Sequence, residues 1–139
     1  LHSILNEILS GPGPMLLLES DLSGPILEKF ISAIGLPRLG VVYDLGNAHA
    51  FGFDIASDLN QLSSLIHEIH VKDRQGVNGP SCLLGEGGTP FATAVQALDE
   101  LSWRGPLVLE TPIFNNWKAA AEHNLSFTKR CWKTVESYV

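Results

Sequence analysis

Four short runs in this chain, three apolar and one alternating, each lead into an acidic or imidazole side chain. Met15-Leu16-Leu17-Leu18 precedes Glu19, Val41-Val42-Tyr43 precedes Asp44, Ile66 to Ile69 precedes His70, and Leu107-Val108-Leu109 precedes Glu110. A short apolar run bounded by turn residues reads as a buried strand. A carboxylate or imidazole at the end of such a strand is costly unless it meets solvent, a partner or a metal. Singly, each has an ordinary explanation as a cap, a loop ion pair or a hydrogen-bonded structural histidine. Two Glu, one Asp and one His in series point instead to an oxygen-rich metal site at one edge of a parallel sheet.

The segments between the runs carry the helical pattern. Leu1 to Leu9 has apolar residues at helical spacing (Leu1, Ile4, Leu5, Ile8, Leu9). The chain is thus expected to begin inside an element, as a fragment of a longer protein, a processed chain or a deliberately shortened one would. Gly11-Pro12-Gly13-Pro14 stops that helix before a strand from Met15 to Glu19. Pro25 suits the first turn of a helix over Ile26 to Ile34. A second strand, Leu39 to Asp44, runs into a Gly- and Asn-rich loop, Leu45 to Phe53. A helix from Ile55 to Leu65, a strand from Ile66 to Asp73 and a polar loop from Arg74 to Thr89 follow. Thr89 reads as the N-cap of a helix from Pro90 to Leu101. The strand Pro106 to Glu110 and a helix from Trp117 to Val135 complete the chain.

Strand and helix therefore alternate four times, which predicts an α/β fold of parallel βα units. The long strand-to-helix connections hold the Gly, Asn, His and Lys residues, as expected when function sits at the C-terminal ends of the strands. In a barrel one face of each strand points inward. If Glu19, Asp44, His70 and Glu110 all take that face, they converge on one ion. Carboxylates with one imidazole and no thiolate suit Mn²⁺, Mg²⁺, Co²⁺ or Zn²⁺.

Bulk properties exclude several classes. A net charge of −6 disfavours a polyanion, so no nucleic-acid partner is expected. No apolar run approaches the ~18 residues of a membrane span, so no membrane partner is expected. Cys82 and Cys131 have no metal-site spacing and fit a reducing, cytoplasmic setting. His2, His67, His123 and the three tryptophans read as structural. The Gly85-Glu86-Gly87-Gly88 segment lacks nucleotide-binding spacing and reads as a tight turn or a phosphate cradle.

Leu16-Leu17-Leu18-Glu19, Tyr43-Asp44-Leu45-Gly46-Asn47, Ile69-His70-Val71-Lys72-Asp73, Leu84-Gly85-Glu86-Gly87 and Gly105 to Glu110 together resemble the sugar phosphate isomerase/epimerase family of xylose isomerase-like TIM barrels. The resemblance runs from about Met15 to Thr111. It implies that residues 1–139 are a partial barrel, its last four βα units. It implies Glu19, Asp44, His70 and Glu110 as metal ligands, with Glu19 and Glu110 also moving protons. Lys72 and His49 become candidates for substrate contact. So does Asn47, which occupies the position where the epimerases often place a histidine.

The implied activity is isomerisation or epimerisation of a sugar or sugar phosphate. A proton next to a carbonyl is removed and returned through an enediolate, which a divalent ion stabilises. Two other readings are an apurinic endonuclease-like hydrolase and an incomplete, non-catalytic half-barrel. The endonuclease needs an Asp-x-His element after the third strand, and none follows Asp73. A half-barrel would pair with a missing N-terminal half or with a second copy as a homo-oligomer.

Overall fold

The computed structural model describes residues 2–112 and 115–136. Its centre is a four-stranded parallel sheet. In chain order the first helix and strand are α1 (His2–Leu9) and β1 (Leu16–Leu18), followed by α2 (Gly24–Ile34) and β2 (Leu39–Asp44). Two short helices, α3 (Leu45–Ala50) and α4 (Ile55–Gln61), lead to β3 (Ile66–Val71). A hairpin of β4 (Asp73–Arg74) and β5 (Ser81–Cys82) precedes α5 (Phe91–Glu100), β6 (Leu107–Leu109) and α6 (Trp117–Glu136). The sheet order is β1-β2-β3-β6, so each crossover joins neighbouring strands.

Alternation along the strands divides the sheet into two unlike faces. Val41, Tyr43, Ile69 and Val71 are buried and belong to the core, together with Leu27 and Ile31 of α2, Leu59 of α4 and Leu98 of α5. The other face is open: Met15 is 40% and Val108 38% exposed. β1 pairs only with β2, and β6 only with β3, among the described residues. The sheet is thus an arc with two free edges and an uncovered concave side, the expected shape of half a parallel barrel.

Register brings the polar strand ends level. Asp44 lies beside His70, and His70 beside Val108, two residues before Glu110. A bulge between Val41 and Val42 leaves His67 as the extra residue of β3. Gly40 makes room for it, since a Cβ there would stand 2.4 Å from the His67 ring. His67 is exposed at this bulge.

Local chemistry explains several helix ends. Arg38 donates to the carbonyls of Ile8 and Leu9 at the end of α1, and to that of Pro14. It satisfies acceptors that have no intrahelical donor. Leu5 and Leu9 are the buried side of α1, whereas Ile4 and Ile8 are exposed; Leu1 lies outside the described residues. Pro25 takes the first turn of α2, and Gly35 closes it at φ 66°.

Four sequence expectations need correction. Leu45 to Phe53 is not simply a loop. Asp44 accepts a hydrogen bond from the Asn47 amide at 2.7 Å and so caps α3, whose Leu45 and Ala48 enter the core. The helix expected to reach Leu65 ends at Gln61. The third strand stops at Val71, and Asp73 pairs antiparallel with Cys82 in the small hairpin. Thr89 does not cap α5: Pro90 takes that position, and the Thr89 hydroxyl is buried without a hydrogen bond. The Thr89 amide is drawn to Asp73, which places the residue before the cap.

Candidate metal centre

Glu19 lies just after β1, Asp44 ends β2, His70 lies within β3, and Glu110 follows β6. One ligand atom from each comes within 4.8 Å of the other three. His70 Nδ1 is 2.7 Å from Glu110 Oε2, 3.7 Å from Glu19 Oε2 and 4.0 Å from Asp44 Oδ2. The two outer-strand glutamates are about two-fifths exposed, and the Asp44 side chain is almost wholly buried. The site is therefore anchored deep at β2 and open at its flanks.

Lys72 joins this group as a counter-ion. Its Nζ is 2.9 Å from Asp44 Oδ2 and 2.5 Å from Glu110 Oε1. Burial acts to lower the Lys72 pKa, but hydrogen bonds and charge from Glu110 and Asp44 outweigh it and raise the pKa. Burial likewise acts against ionisation of Glu110, and Lys72 with His70 overcomes it, so the Glu110 pKa is lowered. For His70, burial acts against the charged ring. Hydrogen bonds to Glu68 and Glu110 and the charges of Glu110 and Glu19 prevail and raise its pKa.

The donor set fits a divalent cation. Three carboxylates and an imidazole converge with only one ammonium between them, so negative charge is in excess. Asp44 Oδ2 is buried, and its close partner at 2.9 Å is the Lys72 ammonium, which it shares with Glu110. A buried carboxylate oxygen left this way favours a stronger cation partner. Oxygen ligands with one nitrogen suit Mg²⁺, Mn²⁺, Co²⁺ or Zn²⁺.

The remaining candidates fall in different places. Asn47 donates through Nδ2 to Glu19 Oε1 at 2.8 Å and accepts at Oδ1 from Arg74 Nη1 at 2.9 Å. With Glu19, Ser20, Asp21 and Phe51 it lines an open cavity of about 470 Å³. His49 does not line that cavity. Its Nε2 is buried without a hydrogen bond, and a Cβ on Gly88 would come within 2.7 Å of it. His123 bonds the Leu84 carbonyl at 2.9 Å, in keeping with a structural histidine.

The glycine segment resolves as a turn. The amides of Gly85, Gly87 and Thr89 all donate to the buried Asp73 carboxylate. Those of Glu86 and Gly88 donate to the carbonyls of Leu83 and Arg74. No amide from Gly85 to Thr89 is left for a phosphate.

Asp73, Glu68 and Arg74 are contributors that the sequence did not single out. Asp73 stood in a motif without a role. Glu68 is two residues before His70 on the same strand face, which is the one available signal. Nothing in the sequence marks Arg74, because its partner Asn47 is brought to it by the fold.

The family model for the xylose isomerase-like TIM barrel matches residues 21–131. "Putative L-ribulose-5-phosphate 3-epimerase SgbU" of Escherichia coli (strain K12) is 32% identical over 89 residues, covering 60% of this chain and 31% of that protein. The xylose isomerase domain protein from Planctomyces limnophilus superposes with a TM-score of 0.81 at 23% identity, covering 98% of this chain and 54% of that one. The IOLI protein with a bound zinc atom superposes at 0.66 with 18% identity, covering 78% and 42%. The chain thus spans about a third of this curated relative and about half of these solved structures. It belongs to the xylose isomerase-like TIM barrel family.

Proposed function

We propose that this chain is the C-terminal half of a metal-dependent isomerase or epimerase of sugars or sugar phosphates. Glu19, Asp44, His70 and Glu110 would hold a divalent cation, and Glu19 with Glu110 would also move the substrate proton. The observation that carries this reading is the convergence of four donor atoms within 4.8 Å from the ends of four parallel strands. The curated relative named as a sugar epimerase supports the reaction class, and the zinc of the IOLI protein supports a metal.

The chain's own groups suit the proposed chemistry. Lys72 and His70 keep Glu110 ionised, so it can accept a proton from a carbon next to a carbonyl. Glu19 stands on the strand at the other edge of the sheet, steadied by the Asn47 amide. Carboxylates on opposite flanks can take a proton from one face of a carbon and return one to the other. Return to the same carbon is epimerisation; return to the former carbonyl carbon, with the neighbouring hydroxyl proton passed to the carbonyl oxygen, is aldose–ketose isomerisation. A bound divalent ion supplies Lewis-acid stabilisation of the enediolate. Asn47 opens on the cavity beside Glu19 and is the proposed contact to a sugar hydroxyl.

Turnover is proposed for the complete barrel. Alone, this chain is proposed to be weakly active or inactive, because its concave face and both sheet edges are unpartnered among the described residues. Calorimetric titration with Mn²⁺ tests the centre: one ion per chain is expected, with binding lost in Asp44→Asn. Equal binding by both proteins would remove the basis of the proposal. Solvent deuterium uptake into a ketose, measured on the complete barrel against Glu110→Gln, tests the proton transfer. Light scattering with a turnover assay tests the half-barrel reading, which an active monomer of this chain would contradict.

A further inference from the structure

The two nitrogens of the His70 ring face different partners. Nδ1 faces the carboxylates of Glu110, Glu19 and Asp44. Nε2 faces Glu68, whose Oε1 lies 2.9 Å away. Glu68 is not one of the four converging residues, and its side chain is only 28% exposed. Strand alternation puts it on the His70 face, one step further from the C-terminal end of β3.

A neutral imidazole carries one proton, on either nitrogen, and an ionised carboxylate can only accept. Without a metal, Glu110 Oε2 at 2.7 Å can accept from Nδ1 as readily as Glu68 accepts from Nε2; a cation held among Glu110, Glu19 and Asp44 would displace the Nδ1 proton, and the carboxylate at Nε2 then keeps the remaining proton there. The lone pair is then left on Nδ1, the nitrogen that faces the other three donors. We infer that Glu68 is a positioning residue that holds His70 in the Nε2–H tautomer and presents Nδ1 to a divalent cation. This rests on the metal reading of the centre. Carboxylates placed behind ligating histidines orient the ring and raise its basicity, and losing one typically costs about 10–100-fold in metal affinity. Ligation through Nε2 would instead require Glu68 to move away or become a ligand itself.

The test uses this chain labelled with ¹⁵N-histidine, with Zn²⁺ alone as the probe. Two-bond ¹H–¹⁵N correlation spectra should show the His70 proton on Nε2 and zinc on Nδ1. Glu68→Gln keeps an accepting oxygen and should preserve that tautomer with a loss of affinity of only a few-fold. Glu68→Leu should lose about tenfold or more. The spectra themselves show whether each variant is folded. Zinc on Nε2, or a folded Glu68→Leu that binds zinc as tightly as the native chain, would overturn the inference. If zinc binding is also indifferent to Asp44→Asn, the metal reading itself fails. If Asp44→Asn abolishes binding while Glu68→Leu does not change it, only the role of Glu68 fails.

Discussion

Asp73 should tolerate neither alanine nor asparagine, and the asparagine result is the more informative. The carboxylate is 1% exposed. Oδ1 accepts from the amides of Arg74 at 2.9 Å and Thr89 at 3.0 Å, and Oδ2 from those of Gly85 at 2.8 Å and Gly87 at 2.9 Å. All four partners are donors. An asparagine amide must therefore turn its own NH₂ toward two N–H groups, whichever way it is rotated. Two hydrogen bonds are lost and two partly or wholly buried amides are stranded, at about 1.5 kcal/mol each, so Asp73→Asn should cost about 3 kcal/mol. In a domain of this size that is a fall of about 10 °C in Tm. Asp73→Ala strands all four amides but leaves space for water, so its cost should be similar or moderately larger. Urea denaturation followed by tryptophan fluorescence gives the global value. Hydrogen exchange at Gly85, Gly87 and Thr89 should accelerate before that of the core strands. An asparagine variant within about 0.5 kcal/mol of the native chain would refute the claim that this site demands acceptors only.

Gly46→Ala should destabilise the chain by about 1–3 kcal/mol, because its Cβ would meet Lys72 Cγ at 2.7 Å and the Lys72 carbonyl oxygen at 2.8 Å. A denaturation midpoint unchanged by the methyl group would show that α3 can shift freely. Lys72→Met leaves Asp44 and Glu110 without their counter-ion, so the metal-free Tm should fall and the rise on adding Zn²⁺ should grow. Equal rises for the two proteins would deny that the ammonium competes with a cation. Without metal, stability should also depend on pH in two opposite ways. His70 has a raised pKa, so its contribution is full below the ordinary imidazole value of 6.5 and is lost as pH rises through the folded value. Glu110 has a lowered pKa, so its contribution is present above the ordinary 4.5 and is lost as pH falls through the folded value. Thermal melts across pH should show both limbs, and His70→Gln should flatten the alkaline one; an unchanged alkaline limb would assign it to another group.

The fold was readable where structure is written locally. β2 and β3 are continuous apolar or alternating runs closed by Gly, Pro or charged residues, and both begin where the sequence places them. α3 escaped because Asp44 has two roles. As a strand-end acid it suggests a ligand, whereas as an N-cap it starts a helix whose polar Asn47 and His49 hide its apolar Leu45 and Ala48. The β4–β5 hairpin has two residues in each strand, too few for any period to show. Thr89 resembled a cap because nothing nearby in the chain reveals that Asp73, sixteen residues earlier, captures its amide.

The same distinction separates the four converging residues from those that support them. A charge at the end of a buried strand is costly wherever the rest of the chain goes, so Glu19, Asp44, His70 and Glu110 announce themselves in the sequence. A supporting hydrogen bond becomes favourable only after folding fixes its geometry. Arg74 reaches Asn47 across twenty-seven residues, and Asn47 reaches Glu19 across twenty-eight. Glu68 is the exception that tests this account. It acts on a residue two positions away, and strand alternation alone puts the pair on one face. Its role was legible in principle, but only once His70 was known to need a second partner, since on its own a glutamate on a strand facing a barrel interior is simply another expensive group.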